Sequence, residues 1–122
     1  MRRRCIGLAA VTLAVAASAA PAAAAGPAAV TVRVEGDGGT LIPRTALTTT
    51  TATVNKDGQA GHDCTGTSAA GALELASAGS WTGAWSNGLG YSVASVKGEA
   101  HAFGSGEYWG FFVNDQLAAS GV

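Results

Sequence analysis

An apolar, alanine-rich run of about 15 residues, positions 6–20, opens the hydrophobic pattern of the chain and follows a cluster of arginines. Small residues then lead to Gly26. A basic start, a short apolar core and a small-residue exit are typical of a secretory signal peptide. The run is shorter than the ~20 residues that span a bilayer, so a retained membrane anchor is the disfavoured alternative. We predict a signal peptide over residues 1–25 and one secreted domain over residues 26–122.

Apolar and polar residues alternate in the first half of the predicted domain, which is the pattern of half-buried strands. The alternation is strict over residues 30–35 and predicts a strand that ends at the glycine-rich turn 36–39. A second extended segment is predicted over residues 41–44, and the threonine-rich stretch 46–54 also favours a strand. The apolar anchors of these segments are Val30, Val32, Val34, Leu47 and Val54.

One helix is predicted over residues 69–78, where alanine and leucine recur at helical spacing. Thr67 and Ser68 offer hydroxyl groups for an N-terminal cap, and Gly79 is a typical C-terminal stop. Small side chains would let such a helix lie close to a sheet. We expect one narrow apolar face made of Ala69, Ala72, Leu73 and Ala76.

The aromatic residues are concentrated in the second half of the chain. Trp81 and Trp85 flank a glycine-containing segment that we interpret as a turn. Residues 90–96 predict a strand followed by a turn at Lys97–Gly98. Residues 108–113 predict the strongest strand of the chain, followed by a hairpin-like turn at Asn114–Asp115. The predicted element order is therefore β-β-α-β-β, which is an α+β domain.

Removal of the predicted signal peptide changes the charge of the chain. Four basic and eight acidic residues remain, which gives a net charge of −4. No cluster of lysine or arginine is left to bind phosphate groups, so nucleic acids and anionic membranes are poor partners. The expected partner is an extracellular ligand or a cell-surface component of unknown identity.

A polar loop over residues 55–64 contains three adjacent potential metal ligands, His62, Asp63 and Cys64. Adjacent residues seldom converge on one ion, and neither C-x-x-C nor H-x-x-x-H spacing supports them. We therefore predict no metal site.

Cys64 is the only cysteine that remains after the predicted cleavage, which is unusual in an oxidising compartment. It can be a reactive thiol, a small buried apolar residue, or one half of a disulfide. Because the sequence ends inside a pattern that favours another strand, the preferred interpretation is a disulfide between Cys64 and a cysteine beyond Val122.

Side chains that serve hydrolases are present, but no motif groups them. His62, His101 and Asp115 are separated along the chain, and Ser68 lacks the flanking glycines of a nucleophile elbow. We predict no enzymatic activity and no catalytic residue. A small secreted hydrolase is the weaker alternative.

Three segments resemble the DUF4430 domain family. Residues 70–75 resemble its short helix, and residues 90–98 resemble its glycine-aromatic-strand-glycine segment. Residues 108–115 resemble its motif Tyr-Trp-x-Phe/Tyr-x-Val-Asn-Gly, with Asp115 in place of the glycine. The family is related to the C-terminal β-domain of transcobalamin and intrinsic factor, the vitamin B12 carriers. The family's closing strand has no counterpart before Val122.

This resemblance implies a small β-grasp-like mixed sheet with one short helix packed on it. We predict a non-catalytic binding, adhesion or spacer module that needs no cofactor, and the resemblance adds cobalamin as an alternative ligand. An aromatic-rich sheet could stack a flat apolar ligand, a sugar or a peptide, although core packing competes for the same side chains. The candidate ligand-binding residues are Trp81, Trp85, Tyr91, Tyr108 and Phe112.

Overall fold

The computed structural model describes residues 26–101 and 104–122, so the predicted signal peptide lies outside the described residues. These residues contain nine strands and one helix, and every strand pairing is antiparallel. The fold is therefore of the α+β class. The elements are β1 (Ala29–Gly36), β2 (Gly39–Thr48), β3 (Thr53–Val54), β4 (Cys64–Thr65), α1 (Ala69–Ser77), β5 (Trp81–Ser86), β6 (Gly90–Val96), β7 (Glu99–Ala100), β8 (Phe112–Val113) and β9 (Gln116–Leu117).

The first hairpin, β1–β2, follows the predicted alternation. The three valines of β1 are half-buried and their neighbours on the other face are exposed, as expected for a strand with one covered face. The strand predicted over residues 46–54 is interrupted, because β2 ends at Thr48 and only Thr53–Val54 continue as β3. The cause is Thr49, a buried residue whose hydroxyl accepts the backbone N–H of Ala28 at 2.8 Å and so closes the end of the hairpin.

The predicted helix and its N-cap are confirmed. Ser68 precedes α1 in an extended conformation, and its hydroxyl accepts the backbone N–H of Gly71. The helix ends at Ala78, which adopts the left-handed conformation one residue before the predicted stop at Gly79. Both residues have positive φ, so two residues share the turn that leads into β5.

The buried face of α1 is rotated relative to the prediction. Gly71 lies so close to Gly66 that a Cβ atom would overlap the Gly66 backbone. This backbone approach turns the Gly71 side of the helix inward and leaves Ala69 and Ala76 only half-buried. The buried residues are Ala70, Gly71, Ala72, Leu73 and Ser77.

The turn predicted between Trp81 and Trp85 is wrong. Both residues lie in the continuous strand β5, and the glycine between them, Gly83, stands at a register shift in its pairing with β6. A glycine inside a strand commonly marks such a bulge. The turn predicted at Lys97–Gly98 is confirmed, since both residues have positive φ and connect β6 to β7.

The strand predicted over residues 108–113 is mostly absent. Only Phe112–Val113 form a strand, β8, which pairs with β9 across a turn at Asn114–Asp115. Aromatic residues favour strands when a neighbouring strand completes the ladder. Residues 108–110 pair with no strand in the described part of the chain, and the carbonyl of Phe111 accepts one hydrogen bond, from the N–H of Ala118 at 2.8 Å. The turn itself is as predicted, with positive φ at both residues.

The last two residues return to β6. The N–H groups of Gly121 and Val122 donate to the carbonyl oxygens of Leu89 and Tyr91, each at 2.9 Å. Because β5 occupies one edge of β6, these bonds lie on the other edge, which β7 shares further along.

One compact core joins the elements, although the described strands form four separate antiparallel sheets rather than the predicted single mixed sheet. No described helix has the length and apolar character that crossing a membrane requires. The core residues are Ile42, Val54, Ala70, Leu73, Trp81, Tyr91 and Val96.

Candidate binding cleft

An open cleft separates β1, α1 and β6 from residues 106–115. Its volume is about 1550 Å³, whereas small-molecule sites typically measure roughly 300–1,000 Å³. The cleft is therefore large enough for an extended or bulky ligand. Its apolar lining residues include Val32, Val34, Ala72, Leu73, Val93, Val96, Trp109 and Phe111.

One wall of the cleft is a strand edge. β1 pairs with β2 alone among the described strands. Consecutive residues from Ala29 to Asp37, which belong to both faces of β1, line the cleft. The backbone edge of β1 therefore borders the cleft, and a strand edge of this kind presents N–H and C=O groups that can pair with another chain.

Two of the predicted ligand-binding residues line the cleft and are exposed. Tyr108 and Phe112 are each 60 % exposed. Val113 and Leu117 of the same C-terminal hairpin are also exposed. A small domain seldom leaves several large apolar side chains side by side in water unless they contact a partner.

The other three predicted residues take part in the core or its rim. Tyr91 and Trp81 are 0 % and 2 % exposed, and Trp85 is half-buried. The ring of Tyr91 meets both tryptophan rings edge-on, at 5.9 Å from Trp81 and 4.9 Å from Trp85. Such contacts favour packing among the three rings. The ligand-binding role of these residues stays a prediction.

The buried Tyr91 hydroxyl anchors the polar loop 55–63. It accepts the backbone N–H of Lys56 at 3.0 Å. It lies 2.9 Å from the carbonyl oxygen of His62 and 3.2 Å from Asp57 Oδ1, so its single proton can go to either acceptor. The loop is thereby fixed against the β5–β6 hairpin.

His62 completes this anchor. Its Nδ1 lies 2.7 Å from Asp57 Oδ2, and its ring stacks on Trp85 at 4.7 Å. The hydrogen bond from His62 holds the pKa of Asp57 below its usual value, with a further contribution from the backbone N–H of Gln59. Asp63 instead accepts from Asn55 Nδ2 at 2.8 Å.

A second polar group ties α1 to β5. Glu74 Oε2 accepts from Trp81 Nε1 at 2.6 Å and from Lys56 Nζ at 2.9 Å. Lys56 also lies 5.0 Å from the centre of the Trp81 ring and donates to the carbonyl of Gly79. The Trp81 indole N–H is thus satisfied although the side chain is buried.

A carboxylate–histidine cluster lies at one end of the cleft. His101 Nε2 is 2.9 Å from Glu99 Oε1 and 3.6 Å from Asp37 Oδ2, and its Nδ1 is 3.1 Å from Glu107 Oε2. The Glu99 carboxylate is the main cause that raises the pKa of His101, and the same hydrogen bond lowers the pKa of Glu99. All four residues line the cleft.

Sequence reasoning missed this cluster because Asp37 lies 62 positions before Glu99, the first of the other members. Asp37 lies in the β1–β2 turn, His101 follows β7, and Glu107 comes later in the chain. The one local sign is the pair Glu99 and His101, since residues two apart in extended chain point to the same side.

Cys64 is half-buried and carries a free thiol in the described part of the chain. Burial raises the pKa of this thiol, with a smaller contribution from Asp63, which disfavours the reactive thiolate. The disulfide with a cysteine beyond Val122 stays a prediction. His62 Nδ1 and both ring nitrogens of His101 form hydrogen bonds with carboxylates.

Comparison with known proteins gives no match. No protein-family profile, curated protein or solved structure shows significant similarity to the chain.

Proposed function

We propose that the chain is an exported, non-catalytic binding module whose cleft takes an extended, largely apolar peptide. The observation that carries the proposal is the pairing of an open strand edge with an apolar wall in one cleft. A peptide that adds to a sheet edge gains main-chain hydrogen bonds, and alternate side chains enter pockets. β1 offers the edge and residues 106–115 offer the facing surface.

Exposed aromatic residues support the same proposal. Tyr108 and Phe112 border the cleft and present large ring surfaces to solvent. Aromatic side chains are enriched among residues that dominate binding energy, because they bury much area with few rotatable bonds. Phe112 stands in the strand β8, where it can cover a ligand held along β1.

The test uses a capped six-residue peptide of alternating valine and threonine, with binding followed by tryptophan fluorescence. Trp109 lines the cleft and provides the optical probe. We expect saturable binding that weakens about tenfold in Phe112→Ala, since the loss of one aromatic anchor is typically worth 1–2 kcal/mol. Leu89→Ala is the matched control, because Leu89 is exposed and lies outside the cleft.

A methylated peptide distinguishes backbone pairing with the edge of β1 from apolar contact between side chains. N-methylation of alternate amides removes the donors that face β1 and preserves the side chains. We expect this peptide to bind at least tenfold more weakly. Equal binding of the two peptides would overturn the edge-pairing proposal, and the absence of saturable binding by either would overturn the peptide proposal altogether.

Cobalamin is the second candidate ligand. The cleft volume exceeds that of ordinary small-molecule sites, which favours a ligand of corrinoid size. A change in the visible absorbance of cobalamin on addition of the protein, together with displacement of the peptide, would favour the corrinoid. Cobalamin that leaves both signals unchanged would remove this candidate.

We further propose that the chain is DUF4430-like and β-grasp-like in arrangement. Support comes from the order of its elements: the hairpin β1–β2 precedes a single helix that packs on it, and the hairpin β5–β6 follows. The C-terminal turn at Asn114–Asp115 also falls where the family motif ends.

Export is part of the proposal and has its own test. Expression with residues 1–25 in a secreting host should release a protein whose N-terminus, measured by mass spectrometry, lies near Gly26. Retention of the intact chain inside the cell would contradict it.

A further inference from the structure

We propose that the hydrogen bond between His101 and Glu107 is a pH-dependent contact, which holds residues 106–108 in the wall of the cleft while the histidine ring is charged and releases them when the ring loses a proton. These residues line the cleft and include Tyr108, a candidate ligand-binding residue. The consequence for ligand binding rests on the proposed function of the cleft, whereas the release itself is a property of the protein without ligand.

One side of the His101 ring is fixed to the folded body. The backbone N–H of His101 donates to the carbonyl oxygen of Ala94 in β6 at 2.9 Å. Its Nε2 lies 2.9 Å from Glu99 Oε1. The same carboxylate oxygen accepts the backbone N–H of Asp37 at 2.8 Å. The His101 side chain is 14 % exposed, so neither the backbone nor the Nε2 edge of the ring is free to turn away.

The other side of the ring faces a carboxylate that is free to move. Nδ1 of His101 lies 3.1 Å from Glu107 Oε2, and the Glu107 side chain is 70 % exposed. Two residues further along, Trp109 packs against the core and meets the His101 ring edge-on at 5.3 Å. The chain is therefore held at Trp109 by apolar contact and at Glu107 by a hydrogen bond to His101.

Both ring contacts together require a charged ring. A carboxylate accepts hydrogen bonds, and a neutral imidazole has only one N–H to donate. Two ring nitrogens at hydrogen-bond distance from two carboxylates therefore describe the imidazolium, in which both nitrogens donate. Asp37 Oδ2, at 3.6 Å from Nε2, is too distant for a hydrogen bond and contributes only its charge.

The acidic neighbours of His101 set the direction of the pH dependence. Its pKa is raised from the ordinary 6.5, mainly by the hydrogen bond to Glu99; desolvation opposes the rise, and Asp37 and Glu107 add to it. A group with a raised folded pKa stabilises the fold fully below its unfolded pKa, about 6.5, and this contribution is lost as the pH rises through the folded value. The contact with Glu107 is therefore complete in acid and is lost on the alkaline side.

The proton that leaves is the one on Nδ1. Nε2 keeps its N–H because Glu99 is closer than Glu107, less exposed and fixed by the N–H of Asp37. Nδ1 then presents a lone pair to the Glu107 carboxylate, and two acceptors at this distance repel each other. Since Trp109 stays packed against the core, the released part is limited to residues 106–108.

The test follows the order of these residues in the protein without ligand. Nuclear magnetic resonance relaxation of the backbone Cα–H groups is measured across the titration of His101, which the carbon-bound hydrogens of its ring report. Glu107 and Tyr108 should be as ordered as β6 while His101 is charged, and more mobile once it is neutral. Mobility that stays constant across the titration would overturn the proposal.

Glu107→Gln is the decisive variant. The glutamine carbonyl oxygen can accept from the charged ring, and its amide group can donate to the neutral Nδ1, so a hydrogen bond is available in both states. We expect residues 106–108 to stay ordered throughout the titration. A change in mobility equal to that of the parent protein would refute the role of Glu107.

His62→Gln is the matched control, since His62 is the other histidine of the chain and its Nδ1 contacts Asp57. This variant should keep the change in mobility seen in the parent protein. Loss of the change in His62→Gln would assign the pH dependence to the wrong histidine and so contradict the proposal.

Peptide binding tests the functional consequence separately. The affinity of the valine–threonine peptide should fall by up to about fivefold as His101 loses its proton, because exposed ion pairs contribute little. In Glu107→Gln the affinity should stay constant. An affinity of the parent protein that does not change with His101 would refute the link to binding. A change in mobility without any peptide binding would reject the proposed function and leave the pH-dependent contact established.

Discussion

Single polar atoms determine how the loop 55–63 is held. The clearest case is the hydroxyl of Tyr91, because one buried oxygen fixes the backbone at Lys56 and at His62. A buried oxygen with several partners stabilises the fold mainly because its removal leaves those partners unsatisfied. The loop contributes little apolar area of its own, so these few bonds determine whether it is ordered.

Tyr91→Phe tests this point. The substitution keeps the ring and removes the hydroxyl, so the N–H of Lys56 loses its acceptor. We expect the free energy of unfolding to fall by about 1–3 kcal/mol. Thr51→Val is the control: Thr51 is exposed, and the loss of its hydroxyl should change the stability by less than about 0.5 kcal/mol. Denaturant titration measures both, and equal effects would contradict the anchoring role of Tyr91.

Asp57 gives the loop a pH dependence. Its pKa is lowered in the folded state by His62, then by Gln59. A carboxyl with a depressed folded pKa stabilises the fold above its unfolded pKa, near 3.9, and the stabilisation is lost as the pH falls through the lower folded value. The difference in unfolding free energy between the parent protein and Asp57→Ala should therefore shrink as the pH falls below about 4. A difference that stays constant from pH 7 to pH 2 would contradict this assignment.

At the scale of elements, close backbone approach sets the helix face. Gly71 and Gly66 touch along their backbones, and this contact determines which side of α1 is covered. Helix propensity alone would favour alanine at position 71 by about 1 kcal/mol. The close contact with the Gly66 backbone outweighs this preference for alanine.

Gly71→Ala should therefore destabilise the protein although it improves helix propensity. The added Cβ overlaps the Gly66 backbone, and overpacking of this kind typically costs about 1–3 kcal/mol. Gly38→Ala is the matched control, since a Cβ at Gly38 meets open space. Thermal unfolding distinguishes them, and a higher Tm for Gly71→Ala than for the parent protein would contradict the proposed contact.

The sequence pattern correctly predicted those elements that a few adjacent residues specify. The alternation of β1, the Ser68 cap and the turns at Lys97–Gly98 and Asn114–Asp115 all depend on a few adjacent residues. The predicted turn before Trp85 failed because a glycine in a strand and a glycine in a turn look alike until the pairing strand is known.

Contacts between residues that are far apart along the chain could not be predicted from the sequence pattern. The aromatic segment 108–113 has strand composition, yet its pairing depends on a neighbour that the pattern does not specify. The carboxylate–histidine cluster joins residues from three segments, and no spacing rule connects Asp37 to Glu107. The cleft could not be predicted for the same reason, although Tyr108 and Phe112 were identified as candidate binding residues and line it.

The molecule as a whole depends on one small core. Residues from β2, β3, α1, β5 and β6 meet in a single cluster, so the sheets that contain these strands share one core. Small domains with one core usually unfold in a single cooperative transition. The cleft and the carboxylate–histidine cluster should lose their geometry together when that core opens.

Leu73→Ala measures this cooperativity. Leu73 is 8 % exposed in α1 and contacts the common core. We expect a loss of about 2–5 kcal/mol. Tryptophan fluorescence and far-ultraviolet circular dichroism should shift to the same lower denaturant midpoint. Separate midpoints for the two signals would show that the sheets unfold independently. Leu75→Ala, at a 43 % exposed position of the same helix, is the control.

The backbone hydrogen bonds of Gly121 and Val122 can be detected by the rate of hydrogen exchange. The amides of Gly121 and Val122 donate to Leu89 and Tyr91, so their hydrogens can exchange with heavy water only when this edge of β6 opens. Residues outside helices and strands often exchange almost at once, because such segments open at nearly no cost in free energy. Slow exchange at these two positions, measured by nuclear magnetic resonance, would show that they belong to the folded body. Rapid exchange would mean that the edge of β6 beside Tyr91 lies open.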